Sequence, residues 1–232
     1  RQRIGAVMKW AVAQGYRGDN PAGDAISAAL PKTGAIRQHQ RALPFAEVGA
    51  ALEEVKASKA YWGTILAFEF LVLTACRSGE VRQATWDEVD LESETWTVPA
   101  GRMKAKRDHR VPLSRRALEV LHEAQGFSNG AGLVFPSAHG RTISDSTVSK
   151  LLRDLGIEAV PHGFRSSFRD WAAECSEAPR EVCELALAHV NSDRVEAAYR
   201  RTDLFERRRV LMEKWSGFVG RTTERGEHRS GR

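Results

Sequence analysis

Six polar side chains invite a chemical reading: Arg77, Lys104, His162, Arg165, His189 and Tyr199. Each has an ordinary alternative. Arg77 follows an apolar run in TACRSGEV, and Glu80, three residues on, can pair with it across one helical turn. His162 and Arg165 in PHGFRSSFRDW share an i,i+3 face at a helix start, where His162 is also placed to cap and Arg165 to be solvated. Lys104 lies in the basic turn RMKAKRDHR, which by itself reads as a solvated hairpin tip. His189 closes REVCELALAH as a terminal helix residue would, and a lone Tyr199 is ordinarily half-buried packing. Taken together, these residue types suit attack on a DNA phosphodiester. A tyrosine hydroxyl is the nucleophile, and arginine forks stabilise the equatorial charge that develops on phosphorus. The departing 5′ oxygen needs a proton, which a lysine can supply. A 3′-phosphotyrosine then stores the bond energy, so religation needs neither ATP nor a metal.

These residues must be positioned by a mostly helical framework. Apolar spacing predicts helices over 2–15, 44–58, 114–125, 144–155, 162–175, 179–189, 193–200 and 204–217. Residues 61–84 read as a buried helix, a turn near Cys76 to Ser78 and a second helix. TWTVPAG and HRVPLS alternate as two short strands around the basic turn. The fold class expected is mainly α with a small antiparallel β-sheet. Residues 19–42 are rich in Gly, Ala and Pro and read as a linker. The expected layout is a closing helix of a truncated domain at 1–18, a linker at 19–42, a main domain at 43–219 and a disordered tail at 220–232.

Composition narrows the class of function. The 232 residues carry a net charge of +5, which favours a polyanionic partner. The three cysteines, Cys76, Cys175 and Cys183, form no CxxC pair, which argues against a disulfide framework or a zinc site and for a reducing cytosol. No run of about 18 apolar residues is present to span a membrane, and RQRIGAVMKW is no signal peptide. That opening also starts in mid-pattern, so an N-terminal part is expected to be missing.

The ordered segments TACRSGEVRQATWDEVDLE, WTVPAGRMKAKRDHRVPLS, LVFPS, PHGFRSSFRDW, LALAHV and AAYRRTDLFERRRVLMEKW resemble the tyrosine recombinase (phage integrase) family, in its prophage and genomic-island branch. The resemblance implies the catalytic domain of that family over residues 43–217. It makes Arg77 the first catalytic arginine with Glu80 in support, and Lys104 the hairpin lysine and general acid, with Lys106 its competitor. It makes His162 and Arg165 the HxxR pair, His189 a donor to the scissile phosphate and Tyr199 the nucleophile. Arg102, Lys106, Arg107, Arg110, Arg200 and Arg201 are the expected DNA contacts. One departure stands out: the family's glycine two residues before the first arginine is Ala75 here.

The resemblance also implies a function: integration and excision of a prophage or genomic island by site-specific recombination. The implied partners are duplex attachment sites, a homotetramer on DNA with a monomer in its absence, an excisionase and a host DNA-bending protein. No cofactor or metal is implied, and the compartment is the bacterial cytoplasm, at the nucleoid. Three other readings compete. A type IB topoisomerase shares the chemistry without the site specificity. A catalytically silent DNA-binding regulator predicts loss of Tyr199 or an arginine, and neither is lost. A basic helical protein with no nucleic-acid role leaves all six residues unexplained.

Overall fold

The computed structural model describes residues 2–23, 26, 29, 41–127, 132–189 and 202–227. The chain divides into two units, Arg1–His39 and Gln40–Arg232. In the first, helix α1 spans Gln2–Ala13 and ends before Gly15, whose φ of +75° suits a residue without a side chain. The linker expected over 19–42 lies largely outside the described residues, as does the helix expected over 193–200.

The second unit is built on α3, Trp62–Thr74, in which every residue except Trp62 and Ile65 is buried. A helix apolar on all sides must be enclosed by its neighbours. Helix α2 (Val48–Ala57) and helix α5 (Arg115–Gly126) pack around it. Its one buried carboxylate, Glu69, is satisfied by Lys56 at 2.8 Å and by Arg116 at 2.8 and 3.1 Å. Helices α4 (Ser78–Arg82), α6 (Asp145–Asp154), α7 (Gly163–Cys175) and α8 (Arg180–Ala186) follow. The last helix, α9, runs Phe205–Glu227, past its expected end at 217 and into the tail expected to be disordered; residues 228–232 lie outside the described residues. It packs on its own domain. Trp215 is fully buried, donates from Nε1 to the Val72 carbonyl at 2.8 Å and meets Phe168 edge-on at 5.6 Å.

The sheet has three antiparallel strands in the order β1–β2–β3: Val89–Asp90, Thr95–Val98 and His109–Pro112. The two expected strands are β2 and β3, paired from Thr95↔Pro112 to Val98↔His109. Strand β1 was not expected, because two residues carry no alternation to read.

Two side chains lock β3 against the helices. Arg208 of α9 is buried and spans the gap, donating to the Arg110 carbonyl at 2.5 Å, the Asp203 carbonyl at 2.8 Å and the Asp203 carboxylate at 2.7 Å. His109 keeps some solvent exposure, yet burial of its ring and the nearby Arg208, Arg165 and Arg77 push its pKa down to about 3; a hydrogen bond to the Ala186 backbone offsets part of this. The imidazole is therefore neutral in the fold.

Gly163 marks a close approach of two backbones. A Cβ there would lie 2.0 Å from the Arg41 carbonyl oxygen, while Val160 N–H already donates to that oxygen at 3.1 Å. Gly163→Ala is expected to cost about 3 kcal/mol, because backbone rather than a flexible side chain must move; denaturant unfolding measures it. For His109, both folded and unfolded chains are neutral above the ordinary pKa of 6.5, and below it only the unfolded chain takes up the proton until about pH 3. Stability therefore falls as pH drops through that window, by up to about 1.4 kcal/mol per pH unit from this residue. Unfolding of His109→Gln between pH 6.5 and 5 should show a shallower slope than the parent.

Candidate active site

The site forms where several element ends converge. Helix α3 stops at Ala75, which adopts the left-handed region with φ 50° and ψ 26°. This is the position where the family pattern has glycine, and the conformation explains that preference, since it costs a residue with a Cβ about 1 kcal/mol. The turn releases Arg77 as the residue that caps α4. Glu80 answers it twice, accepting the Arg77 backbone N–H at 2.9 Å and its Nη1 at 2.7 Å. Glu80 is buried, so the fork it holds is fixed in place. Arg77 Nη2 also reaches the Ala188 carbonyl at 3.4 Å.

Arg165 enters from the first turn of α7 and is 4% exposed, not solvated. Its Nη1 donates to the Ala75 carbonyl and its Nη2 to the Leu187 carbonyl at 2.6 Å. These carbonyls lie at the C-terminal ends of α3 and α8, where backbone dipoles favour a cation. Among the described residues its Nε has no partner. Burial lowers its pKa to about 10, which leaves it charged at neutral pH. The same enclosure drives the Cys76 thiol up to about 12, mainly through burial and then through Glu80, so this cysteine is no nucleophile.

His162 precedes α7 without capping it, and no hydrogen bond of its ring is found among the described residues. Its pKa is lowered by burial, then by Arg165, Arg77 and His189, which shows how closely these charges gather. His189 arrives by a second left-handed alanine. Ala188 has φ 48° and donates to the Leu185 carbonyl at 3.0 Å, while His189 N–H donates to Glu184 at 2.9 Å. This paired closure is a Schellman turn, and it folds His189 back over α8. Its Nδ1 then lies 2.6 Å from Glu184 Oε2, and the other Glu184 oxygen accepts from Arg169 Nε at 2.9 Å.

The basic hairpin lies between β2 and β3. Lys104, Lys106 and Arg107 are exposed, and no hydrogen bond or ion pair among the described residues ties Lys104 to the arginines. Arg102 departs from the expectation of a groove-facing cation. It pairs with Glu88 and donates to the Glu80 carbonyl at 3.0 Å, which anchors the hairpin to α4. Arg110 is exposed but stacks 4.1 Å over Phe205 and lies 3.5 Å from Asp203. Tyr199, Arg200 and Arg201 lie outside the described residues.

Of the expected site residues, the fold thus gathers Arg77, Glu80, His162, Arg165 and His189. His109, Arg169 and Glu184 join them and were not singled out from sequence. Glu184 sits five residues before His189, a spacing that meets only because the turn at Ala188 doubles back.

Residues 41–204, most of the chain, match the model of the phage integrase family. The chain is 34% identical over 238 residues to the integrase of Enterobacteria phage P4, covering 94% of this chain and 54% of that protein. It is 38% identical over 156 residues to prophage integrase IntA of Escherichia coli K12, covering 66% of this chain and 38% of that protein. It therefore spans about half the length, or less, of these two relatives. Among solved structures, the integrase of mycobacterium phage Brujita matches with a TM-score of 0.59 at 22% identity, over 91% of this chain and 69% of that one. The lambda integrase tetramer bound to a Holliday junction matches with 0.58 at 20% identity, over 82% of this chain and 57% of that one. The chain belongs to the phage integrase family, the tyrosine recombinases, and carries the catalytic domain of its phage and prophage branch.

Proposed function

We propose that this chain is the catalytic part of a site-specific DNA recombinase that integrates and excises a prophage or genomic island. The observation that carries this reading is Arg165. Among the described residues the hydrogen-bond partners of this buried guanidinium are carbonyls and its Nε has none; it lies beside Arg77, which holds Glu80 as its own carboxylate. Among the described residues no carboxylate hydrogen-bonds it and Glu80 acts on it only at a distance, so burying this charge stays costly until an anion completes the site. A DNA phosphate meets that need, and the exposed Lys104, Lys106 and Arg107 supply backbone attraction next to it.

In the proposed reaction the Tyr199 oxygen attacks phosphorus and the bond to the 5′ oxygen breaks. His162, neutral because its surroundings are buried and cationic, accepts the phenolic proton. Lys104 protonates the departing 5′ oxygen. Arg77, Arg165 and His189 hold the non-bridging oxygens as charge builds on them. Attack by a second 5′ hydroxyl reverses the steps, and no metal or nucleotide enters. Residues 43–219 form the catalytic domain in this reading, and residues 1–18 close a preceding DNA-clamping domain. The assembly is a homotetramer on two attachment sites in the bacterial cytoplasm, at the nucleoid. An excisionase and a host DNA-bending protein set its direction.

Covalent capture tests the proposal. The full-length protein is expressed beside its element, denatured without proteolysis, and the attached DNA is sequenced. Discrete attachment sites that vanish in Tyr199→Phe are expected. Adducts scattered along the genome would indicate a topoisomerase, and intact DNA binding without an adduct a silent regulator. Arg165→Lys keeps the charge but loses the fork, and its adduct yield should drop by about 100-fold or more.

A further inference from the structure

Within the recombinase reading, on which this step rests, we propose that Glu184 is a positioning residue for strand cleavage: it grips Nδ1 of His189 and dedicates Nε2 to the scissile phosphate. Three observations converge on it. The Schellman turn at Ala188 sets the His189 backbone N–H on the Glu184 carbonyl at 2.9 Å, so ring and carboxylate face one another by backbone geometry. The side chains then meet at 2.6 Å. Arg169 holds the second carboxylate oxygen at 2.9 Å, which stops the carboxylate from rotating away.

The direction of the hydrogen bond follows from the charge. Burial opposes ionisation of Glu184, but the bonds to His189 and Arg169 outweigh it and hold its pKa below the ordinary value. An ionised carboxylate only accepts, so the proton of the 2.6 Å bond belongs to His189 Nδ1. Nε2 is then the one ring atom left for the substrate. When the ring carries both protons, one N–H goes to Glu184 and the other to the phosphate oxygen. Among the described residues, His162 before α7 feels the charges of His189, Arg165, Arg77 and Glu80, and Arg77 reaches the Ala188 carbonyl next to His189 at 3.4 Å. Among these Glu80 is the acidic group, and it is committed to Arg77. Among the described residues Glu184 is thus the carboxylate that contacts the His189 ring. Arg169 and Glu184 already link α7 to α8 without the ring, so the His189 contact adds little to holding the helices together.

The test uses the full-length protein and a duplex carrying the attachment site recovered by covalent capture. Glu184→Ala should form the phosphotyrosine adduct about 10- to 100-fold more slowly, as loss of a residue that orients a site histidine does elsewhere. DNA affinity should stay within about twofold, because the phosphate contacts remain. Glu184→Gln, whose amide oxygen still accepts from Nδ1, should fall between the two. The decisive comparison is the double variant: Glu184→Ala in a His189→Ala background should slow cleavage no further. An equal slowing in both backgrounds would mean that Glu184 acts through the fold, and would overturn the proposal, as would parental cleavage by Glu184→Ala. A separate readout keeps this apart from the recombinase reading. Nitrogen NMR of the DNA-free protein should show the Nδ1–H tautomer of His189 in the parent and the Nε2–H tautomer in Glu184→Ala. If the parent forms no adduct, the recombinase reading fails while the tautomer change still supports the grip; an unchanged tautomer overturns the grip.

Discussion

The Arg165 guanidinium is the constraint around which this domain is arranged. A charge that is 4% exposed must be held by something, and here it is held by backbone carbonyls at the ends of two helices. Residues 75 and 187 lie far apart in sequence, and a single fork joins them. Stable burial of a lone cation is unfavourable, and two carbonyl dipoles offset only part of the cost. Glu80, held by Arg77, acts on Arg165 only at a distance, and in the proposed reaction a phosphate completes the site.

Among the described residues the carboxylates near the site are each committed to another group. Glu80 serves Arg77, Glu184 serves His189 and Arg169, and Glu88 serves Arg102. Among the described residues none of these hydrogen-bonds Arg165, and Glu80 acts on it only through its charge. The arrangement also ties the sheet to the site, since Arg102 reaches the Glu80 carbonyl while His109 and Arg208 fasten β3 to α8 and α9. The hairpin is thus anchored at its base, and its lysines remain in solvent.

The helices were legible in the sequence for two reasons: α5 falls where apolar spacing puts it, and α3 where an unbroken apolar run does. Arg77, His162 and Arg165 stood out as candidates because Arg77 follows an apolar run and the other two open a helix. The sequence did not disclose His109 or Glu184. A histidine on a two-faced strand looks the same whether its ring meets solvent or three arginines, and only the packing of α8 and α9 decides. Glu184 and His189 share no helical face at a spacing of five; a left-handed residue has to intervene, and alanine does not announce one as glycine would. The anchoring of Arg102 was hidden for the opposite reason. It belongs to a basic run, but its nearest carboxylate, Glu88, comes from a turn fourteen residues earlier.

The two left-handed alanines connect these facts. Ala75 and Ala188 each accept about 1 kcal/mol of backbone strain, and each lies within two residues of a site residue. Their carbonyls do not point to solvent. That of Ala75 accepts from Arg165, and that of Ala188 accepts from Arg77 at 3.4 Å. The arginine that follows α3 therefore braces the end of α8, and the arginine of α7 braces the end of α3. Strained turns persist only where the surroundings over-determine them, and here the surroundings are the site arginines themselves. The turns aim the guanidinium groups, and the guanidinium groups hold the turns, so the placement of the cations and the geometry of the helix ends form one coupled structure.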